Sequence, residues 1–220
     1  MAQLIDIQKV VVGPKDLTAT VRVAEGAPLM TSEDVEATAH VYWLMPQIAS
    51  HACLGDAAPT FQDVMGDTEL AHLLEHVTVE LLARTNMAGD IACGRTRATD
   101  DGRTWEVSFP CPDDVLVTGA LSSAAWILQW AFAGANPATE PDVDAIVEGL
   151  AQLVQAAYAT AGDGAGPAED AEGDPEPAPE AVSDPDSDGD DAVEEVVAEE
   201  GPAGDAVAGA VAEGAEGPVS

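Results

Sequence analysis

The sequence predicts an α+β domain, an antiparallel sheet of about four strands with helices packed on it, followed by a disordered acidic tail. Three observations predict this. Apolar residues change period along the chain in the order strand-strand-helix-helix, twice over. A tight Asp100-Asp101-Gly102 turn joins two short strand candidates and favours an antiparallel hairpin. Beyond residue 160 the composition collapses to alanine, glycine, proline, valine, acid and a little serine, with no basic or aromatic residue.

The first strand candidate is Leu4–Val12, and Gly13-Pro14-Lys15-Asp16 forms the turn after it. In the second, Leu17–Ala24, Ala19, Val21 and Val23 alternate with Thr18, Thr20 and Arg22, as a half-buried strand requires. Ser32 is the expected N-cap of a helix running to about Met45, before Pro46. An irregular piece through His51 and Cys53 follows, then a glycine- and proline-bearing loop to Asp67. A second helix spans about Thr68 to Arg84, with Leu70, Leu73, Leu74, Val77 and Leu81 as its core stripe. Its opposite side carries His72 and His76, and suits the wall of a cleft.

Strand candidates Ala92–Ala98 and Thr104–Phe109 come next. Pro112-Asp113-Asp114 opens a long helix ending near Gly134, and Pro141–Ala159 is the last. Val115 to Thr139 carries no charge and reaches membrane-spanning length. Thr118, Gly119, Ser122, Ser123, Gln129 and Asn136 dilute it and no basic residues flank it, so a buried helix is expected and no membrane role.

The formal net charge is −34. All seven basic residues precede residue 160, so the stretch 161–220 is purely acidic. It cannot bury enough apolar surface to offset its ordering entropy. Neither part offers the clustered lysine and arginine that phosphate backbones need, which excludes nucleic acid as an expected partner. A cationic or arginine-bearing partner fits the charge better. Three cysteines without Cys-x-x-Cys spacing, and an N-terminus without a basic or cleavable apolar segment, predict a cytoplasmic protein.

The chemistry concentrates in His72-Leu73-Leu74-Glu75-His76. Histidines at i and i+4 leave the same face of a helix, one turn apart, where two neutral imidazoles can hold one divalent metal, zinc being the expected ion. Glu75 is then the expected general base, acting on a metal-bound water. The pattern is the inverted zinc-protease motif, histidine-x-x-glutamate-histidine. A catalytic site takes three protein ligands. The third is His51, in the irregular segment, or Glu80, one turn beyond His76; His51 strains the geometry less. Cys53 has the chemistry for a soft metal, yet as a lone cysteine it reads first as a small buried hydrophobe. Arg95 and Arg97, in Arg95-Thr96-Arg97, have the chemistry to clamp a substrate carboxylate, with local pairing to acids of this acidic chain as the equal alternative.

Together these segments resemble the amino-terminal domain of cyanophycin synthetases. The resemblance runs through Leu44-Met45-Pro46 to His51-Ala52-Cys53, then Gly66-Asp67 to Leu81 with the HxxEH motif, then Gly94-Arg95-Thr96-Arg97 and the strand Trp105–Phe109. It covers about residues 42–110. Asp67-Thr68-Glu69-Leu70-Ala71 departs from the tryptophan- and glycine-bearing approach usual in the family. The family's ATP-dependent ligase domains have no counterpart here. The resemblance implies a metal-dependent hydrolase of cyanophycin-like or other arginine-containing peptides, with His72 and His76 as ligands, Glu75 as base, and His51 or Glu80 completing the site. The alternative it implies is a non-catalytic polymer-binding or regulatory module serving a partner ligase.

Overall fold

The computed structural model describes residues 3–53 and 59–162. All of them fall in the first of two units into which the chain divides, Met1–Glu169. The fold is α+β, as the apolar periods predict. Strands β1 (Ile5–Val12), β2 (Asp16–Val23), β3 (Arg95–Ala98) and β4 (Thr104–Pro110) form one sheet in the order β1-β2-β4-β3. Every neighbouring pair is antiparallel. Leu17, Ala19, Val21 and Val23 of β2 and Trp105, Val107 and Phe109 of β4 turn one face of the sheet to the core, and all are buried. The alternate residues, among them Thr18, Thr20 and Ser108, stand on the open face. A bulge at Gln8 shifts the register of β1 against β2. Beyond it Val10, Val11 and Val12 remain exposed.

Four helices cover the core face: α1 (Val35–Leu44), α2 (Leu70–Arg84), α3 (Asp114–Phe132) and α4 (Val143–Gly162). Asp34, not Ser32, caps α1, its carboxylate accepting from the Ala37 N–H, while Thr31–Glu33 forms a separate 3-10 turn. Ser32 instead donates its hydroxyl to Asp67, tying the start of α1 to the loop before α2. Asp113 caps α3 by accepting from the Leu116 N–H. Helix α3 is long and apolar enough to cross a membrane by length and composition. It packs against α1, α2, α4 and β1, and buries Leu116, Leu121, Ile127 and Leu128 among them, as a core helix does.

Helix α2 lies between the sheet and the other helices. Every residue from Leu70 to Leu82 is buried, histidines and glutamates included. The cleft-wall expectation for its histidine face is therefore corrected. Residues 46–53 and 59–63, two 3-10 turns with an Ala52–Thr60 bridge between them, fold over that face and bring Phe61 onto it. Helix α4 runs to Gly162, past the expected end at Ala159. From residue 163 the expected disordered tail lies outside the described residues.

Candidate metal centre

At roughly 100° per residue, the polar side of α2 presents Glu75, His72, His76 and Glu80 in that angular order. Each meets a different neighbour. Glu75 lies under β3: its Oε1 accepts from the Gly94 N–H at 3.0 Å and its Oε2 from the Thr96 hydroxyl at 2.6 Å. Gly94 is required by this approach. A Cβ there would stand 2.8 Å from Glu75 Cγ, 2.8 Å from the Ser108 carbonyl oxygen and 3.1 Å from Phe109 Cδ1.

His72 and His76 converge. Their Nε2 atoms are 3.1 Å apart, and Cys53 Sγ lies 3.8 Å from the first and 3.5 Å from the second. Both rings are buried, His76 completely. Phe61 stacks on the His76 ring at a centroid distance of 4.0 Å and meets His72 edge-on at 5.3 Å. Burial, with the neighbouring His72 and His51 adding to it, holds the His76 imidazole well below the usual histidine range, at about 3. At neutral pH that ring is uncharged.

The proton positions are assigned from the hydrogen-bond network. Thr68 directs its hydroxyl proton to Glu69, so its oxygen accepts from His72 Nδ1, 2.8 Å away. Glu80 accepts from His51 Nε2 at 2.9 Å. In the tautomer that keeps the His51 proton on Nε2 alone, its Nδ1 accepts from His76 Nδ1 at 3.3 Å. In that tautomer both outer nitrogens of the histidine pair carry the protons, and both Nε2 lone pairs face each other across 3.1 Å with the thiol alongside. Two acceptors pointed at each other in a buried site repel unless a cation stands between them.

The donor set fits a metal. Cys53, His72 and His76 are a group whose ligand atoms all lie within 4.8 Å of one another. Tetrahedral zinc, with Zn–N of about 2.05 Å and Zn–S of about 2.3 Å, spaces two nitrogens about 3.3 Å apart and nitrogen and sulfur about 3.6 Å apart. The three edges here lie within a few tenths of an ångström of that. Three protein donors leave a fourth position for water or substrate, and the thiolate disfavours magnesium and calcium. The outer histidine nitrogens find the oxygen or imidazole partners that metal-bound histidines use to fix their orientation.

The structure thus brings Cys53, rather than His51 or Glu80, to the histidine pair. His51, half-buried, and Glu80, buried, stand behind His76 as a hydrogen-bonded dyad. The signal for Cys53 was the His-x-Cys spacing: in the extended stretch from His51, position i+2 returns to the same side. Thr68 was also legible, four residues before His72. Arg95 and Arg97 are not at this site. In the β3–β4 register they pair with Ser108 and Glu106, on the open face of the sheet, while Thr96 pairs with Val107 on the core face. Arg97 donates to Glu106, and Arg95 lines a cleft of about 370 Å³ with Asp16, Thr18, Cys93 and Ser108. Strand alternation therefore delivers the threonine to Glu75 and turns both guanidinium groups away. His40, on α1, packs edge-on against Trp130.

The model of the cyanophycin synthase-like N-terminal domain family matches residues 20–130, from mid-β2 nearly to the end of α3. No curated protein matches the chain.

Proposed function

We propose, from the premise that this chain belongs to the cyanophycin synthase-like N-terminal domain family, that it is a metal-dependent amide hydrolase acting on cyanophycin-like or other arginine-containing peptides. The observation that carries the reading is the pair of facing imidazole nitrogens, 3.1 Å apart, with the Cys53 sulfur beside both. Cys53, His72 and His76 would hold a zinc ion. Zinc so held supplies a bound water acidic enough to ionise near neutral pH and a Lewis acid for the substrate carbonyl.

The chain's own residues do the rest. Thr68 and the His51–Glu80 dyad keep the two rings in the tautomer that bares Nε2. Phe61 excludes water from one side of His76. Glu75 is the base: one oxygen receives a proton while Gly94 and Thr96 hold the carboxylate in place. The acidic surface favours a substrate rich in arginine. A specific observation favours a second reading, a non-catalytic polymer-binding module. Both Glu75 oxygens are already engaged by β3, so the carboxylate has a structural role whether or not it moves protons.

The test uses the full chain, purified without chelator, its metal measured by plasma mass spectrometry and its cleavage of cyanophycin followed by release of soluble arginine-containing peptides. Wild type is expected to hold about one zinc per chain and to cleave. Cys53→Ser and His76→Ala are expected to lose both properties, and Glu75→Gln to keep the metal and lose cleavage. Metal-bound protein that binds the polymer unchanged after Glu75→Gln and never cleaves it overturns the hydrolase reading in favour of the binding module. Protein that takes up no zinc overturns both the metal and the chemistry.

A further inference from the structure

We infer that the free edge of β3 seats the substrate main chain: an extended peptide adds there as a fifth strand and is led by it to Glu75. This deepens the hydrolase reading and rests on it for the chemistry, not for the binding.

Strand β3 is outermost in the order β1-β2-β4-β3. Thr99 donates its N–H to the Thr104 carbonyl, and Arg97 and Arg95 stand opposite Glu106 and Ser108 in the same register. Antiparallel pairs alternate between bonded and non-bonded positions. The backbone groups of Arg95 and Arg97 therefore point to β4, and those of Thr96 and Ala98 point outward. Arg95, Arg97 and Ala98 are exposed.

Gly94 shares the outward parity of Thr96 and Ala98. Its N–H donates to Glu75 Oε1 at 3.0 Å, the carboxylate reaching it from beneath the strand. The line of outward groups along β3 thus ends on the Glu75 carboxylate. The angular order around α2 continues it. His72 lies roughly 60° beyond Glu75, and His76 roughly 40° beyond His72, both away from β3.

The sheet's other edge, β1, is eight residues long and packs against α3. Strand β3 is four residues long and carries two exposed arginines, features that discourage open-ended pairing between copies while leaving room for one short segment. Recognition through main-chain hydrogen bonds tolerates varied side chains, as a repetitive substrate of changing register needs.

The probe is an N-acetylated, C-amidated hexapeptide of alternating threonine and arginine, positively charged against this acidic chain. With the zinc-loaded full chain, saturating peptide is expected to slow amide hydrogen exchange at Thr96 and Ala98 by about tenfold or more, read by NMR. Ala98→Pro removes one outward donor and no bond to β4. It is expected to weaken peptide binding by about tenfold, since a lost hydrogen bond and a blocked approach add, with zinc content unchanged. The same peptide N-methylated at alternate residues repeats the test without altering the protein, and is expected to bind as poorly. Unchanged exchange at both amides, or no binding of either peptide, overturns the inference. Cleavage that survives in Ala98→Pro at wild-type affinity overturns the edge while leaving the hydrolase. Protection without cleavage sustains the edge and removes the hydrolase.

Discussion

Replacing Gly94 by alanine puts a methyl group into the tightest junction of the site. The added carbon would sit 2.8 Å from Glu75 Cγ and 2.8 Å from the Ser108 carbonyl oxygen, with Phe109 Cδ1 at 3.1 Å. Glu75 Cγ belongs to a buried side chain with both oxygens anchored. Ser108 O is backbone in the middle of β4, and Phe109 is fully buried. None of the three can move cheaply. Overpacking of this kind costs about 1–3 kcal/mol. Pushing Glu75 away also weakens a charge-assisted bond from the Gly94 N–H, about 1.5–3 kcal/mol when intact. A loss of about 3 kcal/mol follows. For a domain of this size that lowers the melting temperature by roughly 6–12 °C. The assay is urea unfolding of Gly94→Ala beside wild type, both loaded with zinc. Metal content should not change, because Gly94 touches none of the three donors, whereas cleavage should fall as Glu75 is displaced. A variant within about 0.5 kcal/mol of wild type would refute the claim that Glu75 is wedged against β3.

Two more outcomes are expected. In the presence of chelator, stability should fall with acid in a window set by His76. The unfolded chain takes up that proton below about 6.5, the folded chain not until about 3. The contribution is therefore complete above pH 6.5 and declines by roughly 4–5 kcal/mol toward pH 3; His76→Leu should flatten that stretch of a pH-resolved urea titration, and an unchanged slope would contradict the burial argument. Glu80→Leu takes the partner from the His51 Nε2 proton in a half-buried site. It should cost about 1–3 kcal/mol in the same assay and weaken zinc about 10- to 100-fold in a competition titration, the usual penalty for losing a partner behind a ligand; zinc affinity equal to wild type would mean the dyad does not orient His76.

Local pattern made the elements legible. Alternation in Leu17–Val23 and the spacing of Leu70, Leu73, Leu74, Val77 and Leu81 located β2 and α2, and the acidic turn located the β3–β4 hairpin. The HxxEH spacing brought out the histidine pair for the same reason: one helical turn is a local fact. What covered that pair was not local. Cys53 reaches the histidines because Ala52 bridges Thr60 and Phe61 packs on the rings, contacts made between segments whose order in the sequence says nothing of their distance. Without that cover the polar side of α2 looked like a cleft wall. The two arginines failed differently. Their strand was recognised, but a strand sends neighbours to opposite faces, and Thr96 was the residue on the side that mattered. Ser32 was passed over as a cap because Asp34 offers a carboxylate at the position where the α-helical turn begins.

One donor of the three is a thiol carried by a short connecting segment, whereas the two imidazoles belong to a rigid rod. Cys53 is also the only one of the three that is partly open to solvent. Peroxide reaching that sulfur would convert it to a sulfenic acid, a poor ligand for a divalent ion. On the zinc reading proposed above, the rod and the sheet would survive intact, and the site would lose its ion without unfolding. A reductant would restore the ligand, so on that reading oxidation acts on the site and spares the core.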